Sequence, residues 1–226
     1  MTYVISDIRG RKEKFEQILE DIRFNDRDVM YVLGNTLDGG DDPIGLLCDL
    51  SMRYNVISIV GDRELMAVEL LSEFDKVLKS GASPDPEFVG KLSAWIRKGG
   101  AKTLEGFKAL DDDMKEGVLE YLEELSLYEE AEVKGKKYIL VHAGFADFDA
   151  ETPIDDYMPE DLVKVALDPQ RVYFDDATVV VGHTPTSKIE GADGGRIFYG
   201  EGSIFINCGS DVLGCLRLDD GKEFYA

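Results

Sequence analysis

Basic residues, histidine and cysteine are all scarce in this chain. Lysine and arginine total 25 against 46 aspartates and glutamates, a formal net charge of −21 at pH 7 over 226 residues. Nucleic acids and anionic membrane surfaces need a basic face, and here the mean field repels phosphate polymers, so neither is expected as a partner. A small phosphorylated ligand stays open, because a local site overrides a global charge. No apolar run reaches the ~18 residues that a spanning helix needs. The three cysteines, Cys48, Cys208 and Cys215, form no Cys-x-x-Cys pair. An odd, scattered set suggests neither a disulfide framework nor a zinc knuckle. Cys48 follows Leu46 and Leu47 and reads as a core residue. The start, Met1 to Asp7, has no basic region followed by an apolar one and reads as a strand that begins at once. The expected location is a reducing cytoplasm. The oligomeric state is not legible.

What is present is ample apolar material, 44% of the chain, enough for a buried core. The length suits one α/β domain over 1–226. Short β-rich runs alternate with helical patterns. Tyr3-Val4-Ile5 precedes Phe15, Ile18, Leu19 and Ile22 at helical spacing, then Val29 to Leu33. Asp42-Pro43 announces a second helix, an N-cap followed by proline in the first turn. Val56 to Val60 is a third strand. This repetition predicts an α/β fold with a parallel sheet flanked by helices. Residues from about 64 to 126 are mostly helical by pattern and read as an inserted cap, with Asp111 to Asp113 at a helix N-terminus, as the helix dipole favours. Strands return at 138–141, 178–181 and 203–206.

Five of these strands end alike. They run into Ser6-Asp7-Ile8-Arg9-Gly10, Gly34-Asn35-Thr36-Leu37-Asp38-Gly39-Gly40, Gly61-Asp62-Arg63-Glu64, His142-Ala143-Gly144 and Gly182-His183-Thr184. Ligands bind at the carboxyl ends of parallel strands, and glycines allow close backbone approach, so the five loops are expected to converge on one cleft. Each histidine taken singly fits a structural, hydrogen-bonded role. Together with carboxylates at strand ends they compose a metal site. The residues alone reach a divalent-metal or phosphate site on an α/β scaffold and do not name the reaction.

In order and type, the five loops resemble the motifs of the calcineurin-like metallophosphoesterases, in particular the bacterial serine/threonine protein phosphatase-like branch. The stretch Trp95 to Leu104 resembles that branch's helical insert, and Ile206 to Gly209 its closing strand. The resemblance implies a layered fold of mixed β-sheets flanked by helices with a helical insertion. It also implies two metal ions bridged by an aspartate. The first ion's positions are occupied here by Asp7, Arg9 and Asn35. Arginine donates only and cannot ligate, and the bridging position has lost its charge, so the first metal site is expected to be absent. The second ion's positions are Asn35, Asp62, His142 and His183, a set that could bind one divalent ion, manganese, zinc or iron(II). Arg63 stands where the family has its histidine acid, and a guanidinium is a very poor acid near neutral pH. Gly39 replaces a phosphate-gripping arginine. Asp38 survives and is expected to pair with Arg63, while Arg9 is expected to pair with Asp7 or Asp62, two cations standing in for one divalent ion. The implied function is a phosphoesterase with weak or absent hydrolysis of phosphomonoesters. The alternative is a pseudoenzyme that binds a phosphorylated ligand or a phosphoprotein without turnover.

Overall fold

The computed structural model describes residues 1–226. Two five-stranded sheets lie face to face. The first has the order β10-β9-β1-β2-β3, built from β1 (Thr2–Ile5), β2 (Val29–Leu33), β3 (Val56–Ile59), β9 (Gly214–Arg217) and β10 (Lys222–Tyr225). Strands β1, β2 and β3 are parallel; β9 and β10 close one edge antiparallel. The second sheet has the order β4-β5-β6-β8-β7, from β4 (Tyr128–Val133), β5 (Lys136–Val141), β6 (Ala177–Val181), β7 (Phe198–Tyr199) and β8 (Ser203–Phe205). Here β5, β6 and β8 are parallel.

The continuous apolar runs follow from both faces of each sheet being covered. Successive side chains point to opposite faces, so β1 sends Val4 between the sheets and Tyr3 and Ile5 under helices. Likewise β5 and β6 send Leu140 and Val180 inward, and Ile139, Val141, Val179 and Val181 to the outer face. Helices α1 (Lys12–Ile22) and α2 (Pro43–Ser51) cover the first sheet. The Asp42 side chain caps α2, accepting from the Gly45 N–H at 2.9 Å.

The segment expected to be helical from about 64 to 126 is α3 (Asp62–Ser80), α4 (Pro86–Trp95), a π-turn (Ile96–Gly100), α5 (Ala101–Ala109) and α6 (Asp112–Glu123). These pack with α2 around a core of Leu37, Leu71, Trp95 and Phe107. Cys48 is half-buried against this same cluster. The short helix α7 (Pro159–Val163) leans on the outer face of the second sheet. No helix is long and apolar enough to cross a membrane.

Candidate metal centre

The carboxyl ends of β1, β2, β3, β5 and β6 meet at one edge of the sandwich. Their loops touch backbone to backbone. Asp7, Arg9 and Gly10 donate their N–H groups to the carbonyls of Gly34, Asn35 and Thr36. Glycine is required where the loops cross most closely: a Cβ on Gly34, which has φ +71°, would lie 2.6 Å from the Gly61 backbone. Five residues of the site adopt left-handed backbone without being glycine: Asp7, Arg9, Asn35, Asp38 and His183. Such conformations cost free energy and persist only where surrounding bonds over-determine them.

At Asn35 that over-determination comes from Glu64, a residue to which neither spacing nor resemblance gave a role. Its fully buried carboxylate accepts five hydrogen bonds. Oε1 takes the Thr36 N–H, the Thr36 hydroxyl and the Leu37 N–H at 2.8, 2.9 and 3.0 Å. Oε2 takes the Asn35 N–H at 2.7 Å and the Gly61 N–H at 3.0 Å. The Gly61-x-x-Glu64 spacing at the start of α3, a capping-box arrangement, is the signal that could have found it.

Three groups converge. Asp62 Oδ1 lies 3.2 Å from His142 Nε2 and 3.4 Å from His183 Nδ1, and the two imidazole nitrogens are 3.3 Å apart. These three residues form a cluster able to hold a metal ion. His142 is fully buried, and its Nδ1 sits 2.7 Å from the Leu33 carbonyl. A carbonyl only accepts, so Nδ1 carries the proton and the neutral ring turns its Nε2 lone pair to the cluster, an arrangement that metal-ligating histidines share. Three lone-pair atoms so close repel unless a cation joins them. Without a metal, protonating His142 at Nε2 would supply one. Burial pushes its pKa down, but the hydrogen bond to Asp62 and the Asp7 charge outweigh burial, so the net shift is upward. Asp62 shows the reverse: burial raises it, and hydrogen bonds from His142, His183 and Asn35 bring it well below the ordinary carboxylate range. A divalent ion fits this donor set, two imidazoles and a carboxylate.

Asn35 and Asp7 are placed differently from what a ligand set over both would need. The Asn35 amide oxygen accepts from the Arg63 N–H at 3.0 Å, so its nitrogen faces the carboxylates, donating to Asp62 Oδ1 at 2.9 Å and Asp7 Oδ1 at 3.0 Å. In this orientation Asn35 holds Asp62 in place and presents no oxygen to the cluster. Asp7 is buried and saturated with donors. Its Oδ1 also meets Arg9 Nη2 at 3.4 Å, and its Oδ2 takes the Ser6 hydroxyl and the His183 N–H at 3.0 and 2.9 Å.

Arg63 Nη1 lies 3.3 Å from Asp38 Oδ2 and 3.2 Å from the Lys98 carbonyl, and its Nε is 3.9 Å from Asp62 Oδ2. The guanidinium therefore bridges two carboxylates. Asp38 is buried and tied to the helical segment: Trp95 Nε1–H and the Thr103 hydroxyl both donate to it at 2.8 Å. Burial pushes the Asp38 carboxyl above its ordinary range, against the pull of Thr103, Trp95 and Arg63. The π-turn makes the indole contact possible. Gly100 has no room for a side chain, since a Cβ would come within 2.3 Å of the Trp95 ring. The glycine at 39 donates its N–H to the Gly99 carbonyl at 3.1 Å, joining the two loops without an arginine side chain.

Fold and site together describe a two-sheet α/β protein with one cluster able to hold a metal ion. The family model for calcineurin-like phosphoesterases matches residues 2–205, and the chain belongs to that family. No curated protein matches the sequence. Among solved structures, a protein provisionally described as a diadenosine tetraphosphatase is similar at 16% identity and TM-score 0.65, over 100% of this chain and 92% of that one. A metallophosphoesterase from Sphaerobacter thermophilus matches at 16% identity and TM-score 0.58, over 99% of this chain and 86% of the other. A serine/threonine phosphatase from Saccharomyces cerevisiae matches at 12% and 0.55, over 100% and 78%. At these identities the likeness speaks for the fold alone. The family implies use of divalent metal.

Proposed function

We propose that this chain is a phosphoesterase homologue that holds one divalent ion at Asp62, His142 and His183 and hydrolyses phosphomonoesters slowly or not at all. The observation that carries this reading is the pairing of Arg9 with Asp7 and of Arg63 with Asp38 and Asp62, with the Asn35 amide between Asp7 and Asp62. Carboxylates that would be costly to leave unpaired are already matched by guanidiniums and an amide. A second ion beside them would face two fixed positive charges.

Bound at the three-residue cluster, a divalent ion supplies Lewis-acid polarisation of a phosphoryl oxygen. The protein's own groups do the rest. Arg63, held by Asp38 and the Lys98 carbonyl, and Arg9, half-exposed beside Asp7, offer N–H donors to a phosphate in the cleft. Neither can give up a proton at neutral pH, so a leaving alkoxide has to take its proton from solvent. Binding without efficient turnover follows. The ligand class this supports is a small phosphorylated molecule or a phosphoprotein, not a nucleic acid, in line with the net charge of −21.

The test is hydrolysis of p-nitrophenyl phosphate by the full chain in added zinc or manganese, with phosphate binding measured in parallel. Slow or absent turnover with measurable phosphate binding is expected. Turnover on the order of 10 s⁻¹, ordinary for an enzyme, on any phosphomonoester overturns the reading.

A further inference from the structure

Away from the metal centre, the second sheet carries a groove on its outer face. Strands β4 and β5, the segment 150–154 and the start of β6 enclose about 520 Å³ there. That lies within the ~300–1,000 Å³ of ordinary ligand sites. In the β4–β5 register Glu130 stands opposite Ile139 and Glu132 opposite Lys137, so all four side chains share this face. Two polar contacts fix the walls. The Tyr128 hydroxyl donates to Asp155 Oδ1 at 2.9 Å, and Lys137 Nζ donates to Asp176 Oδ2 at 2.6 Å.

Floor and walls differ in character. The floor is apolar, with Ile139 buried and Phe174 and Ala177 half-buried. The walls are acidic. Lys137 is the one cation among the lining residues, and it is committed to Asp176. Glu130, Glu132 and Glu151 are exposed and form no ion pair. Carboxylates around an apolar floor match a cation on an aliphatic stem, whose methylenes lie on the floor while the charged head reaches the rim. An anionic ligand is repelled, both here and by the net charge of −21.

The nature of the occupant follows from β4. This strand pairs with β5 on one side and with no strand on the other. An extended chain laid along such an edge gains main-chain hydrogen bonds, and its alternate side chains point to one face. Glu130 and Glu132 are two residues apart on the groove side, so lysines or arginines two apart on an added strand meet them. A second copy of β4 is refused, because glutamates would stand against glutamates. A small polycation satisfies the rim and leaves the strand edge unused.

We infer that the β4 edge and its groove dock an extended basic segment of a partner protein, with lysine or arginine at alternate positions over Glu130 and Glu132 and with Glu151 meeting a cation from the facing wall.

The probe is a short fluorescein-labelled peptide alternating lysine with valine, titrated with the full chain and followed by anisotropy at about 0.1 M salt, where the Debye length is about 10 Å. Saturable one-to-one binding is expected. The combined change Glu130→Gln, Glu132→Gln and Glu151→Gln weakens it about 10-fold, the order that three exposed ion pairs supply together. Glu87→Gln, Glu105→Gln and Glu116→Gln make the same change of net charge on exposed helix faces and weaken it less than about 2-fold, since charges beyond a Debye length are largely screened. Spermine, a polycation without a main chain, binds more weakly than the peptide. Equal losses in the two triple variants show attraction by mean charge alone and overturn the proposal, as does a peptide that does not bind. Spermine binding as tightly as the peptide, with the same loss in the groove variant, overturns the peptide in favour of a small polycation.

Discussion

Glutamate 64 is the sharpest test of how the site is held, because one buried carboxylate gathers five donors from one loop and a helix start. Replacing it by glutamine keeps the shape and exchanges one oxygen for an N–H2 group. The amide nitrogen will settle on the side with fewer donors, where Oε2 now meets the Asn35 and Gly61 N–H groups. Two charge-assisted bonds are lost there, each worth about 1.5–3 kcal/mol, and two buried N–H groups face another donor. The three bonds on the Oε1 side become neutral and weaken. Relaxation recovers part of this, so the net loss is about 3–5 kcal/mol. With a urea m-value of about 1–3 kcal/mol per M, the unfolding midpoint falls by about 2 M. The sole tryptophan, Trp95, is fully buried and supplies the fluorescence signal. Glu87→Gln, on an exposed carboxylate, is the control and changes stability by less than about 0.5 kcal/mol. A loss below about 1 kcal/mol for Glu64→Gln refutes the view that this carboxylate organises the site.

Gly100→Ala drives a methyl into the buried Trp95 ring and costs about 1–3 kcal/mol in thermal or urea unfolding. Reversal of the site needs combination. Arg9→His, Asn35→Asp and Arg63→His each leave the first ion's volume blocked or uncharged when made alone, whereas the combined change with Asp62→Asn and Gly39→Arg raises both metal count and p-nitrophenyl phosphate turnover, since residues sharing one site couple strongly. In chelator, His142 gives a pH signature. Its folded pKa is raised above the unfolded value of about 6.5. The stability that its proton contributes is therefore fully present below about pH 6.5 and is lost as pH rises through the folded value. Asp62→Asn removes the largest contribution to that upward shift, leaving those of Asp7 and the Leu33 carbonyl, so the Tm gap between wild type and Asp62→Asn narrows as pH rises above about 6.5. A gap that stays flat or widens contradicts the sign.

The layered fold was legible because both sheets are covered on both faces, so β1, β2, β5 and β6 read as apolar runs with chemistry-bearing residues at their ends. Strands β4, β9 and β10 escaped that reading. Glu129, Glu130 and Glu132 in β4, and Lys222 and Glu223 in β10, interrupt the apolar pattern, as edge and hairpin strands often do. The convergence of Asp62, His142 and His183 was visible in residue type and context. The direction of the Asn35 amide was not, because it depends on the Arg63 N–H, a partner that only the start of α3 places. Glu64 carried a capping spacing that was readable, but the four donors from the 35–37 loop were not. The Trp95 link to Asp38 needed the π-turn at 96–100, a backbone irregularity that Gly99 and Gly100 permit without announcing it.

The central claim, one ion where the family has two, is tested most directly by anomalous diffraction. Crystals of the full chain grown with zinc are measured on both sides of the zinc absorption edge. The account predicts a single anomalous peak within bonding distance of Asp62, His142 and His183, with the Arg9 and Arg63 guanidiniums beside Asp7 and Asp38. Two peaks about 3.5–4 Å apart, the spacing of a two-metal centre, with Asp7 bound to the second, contradict it.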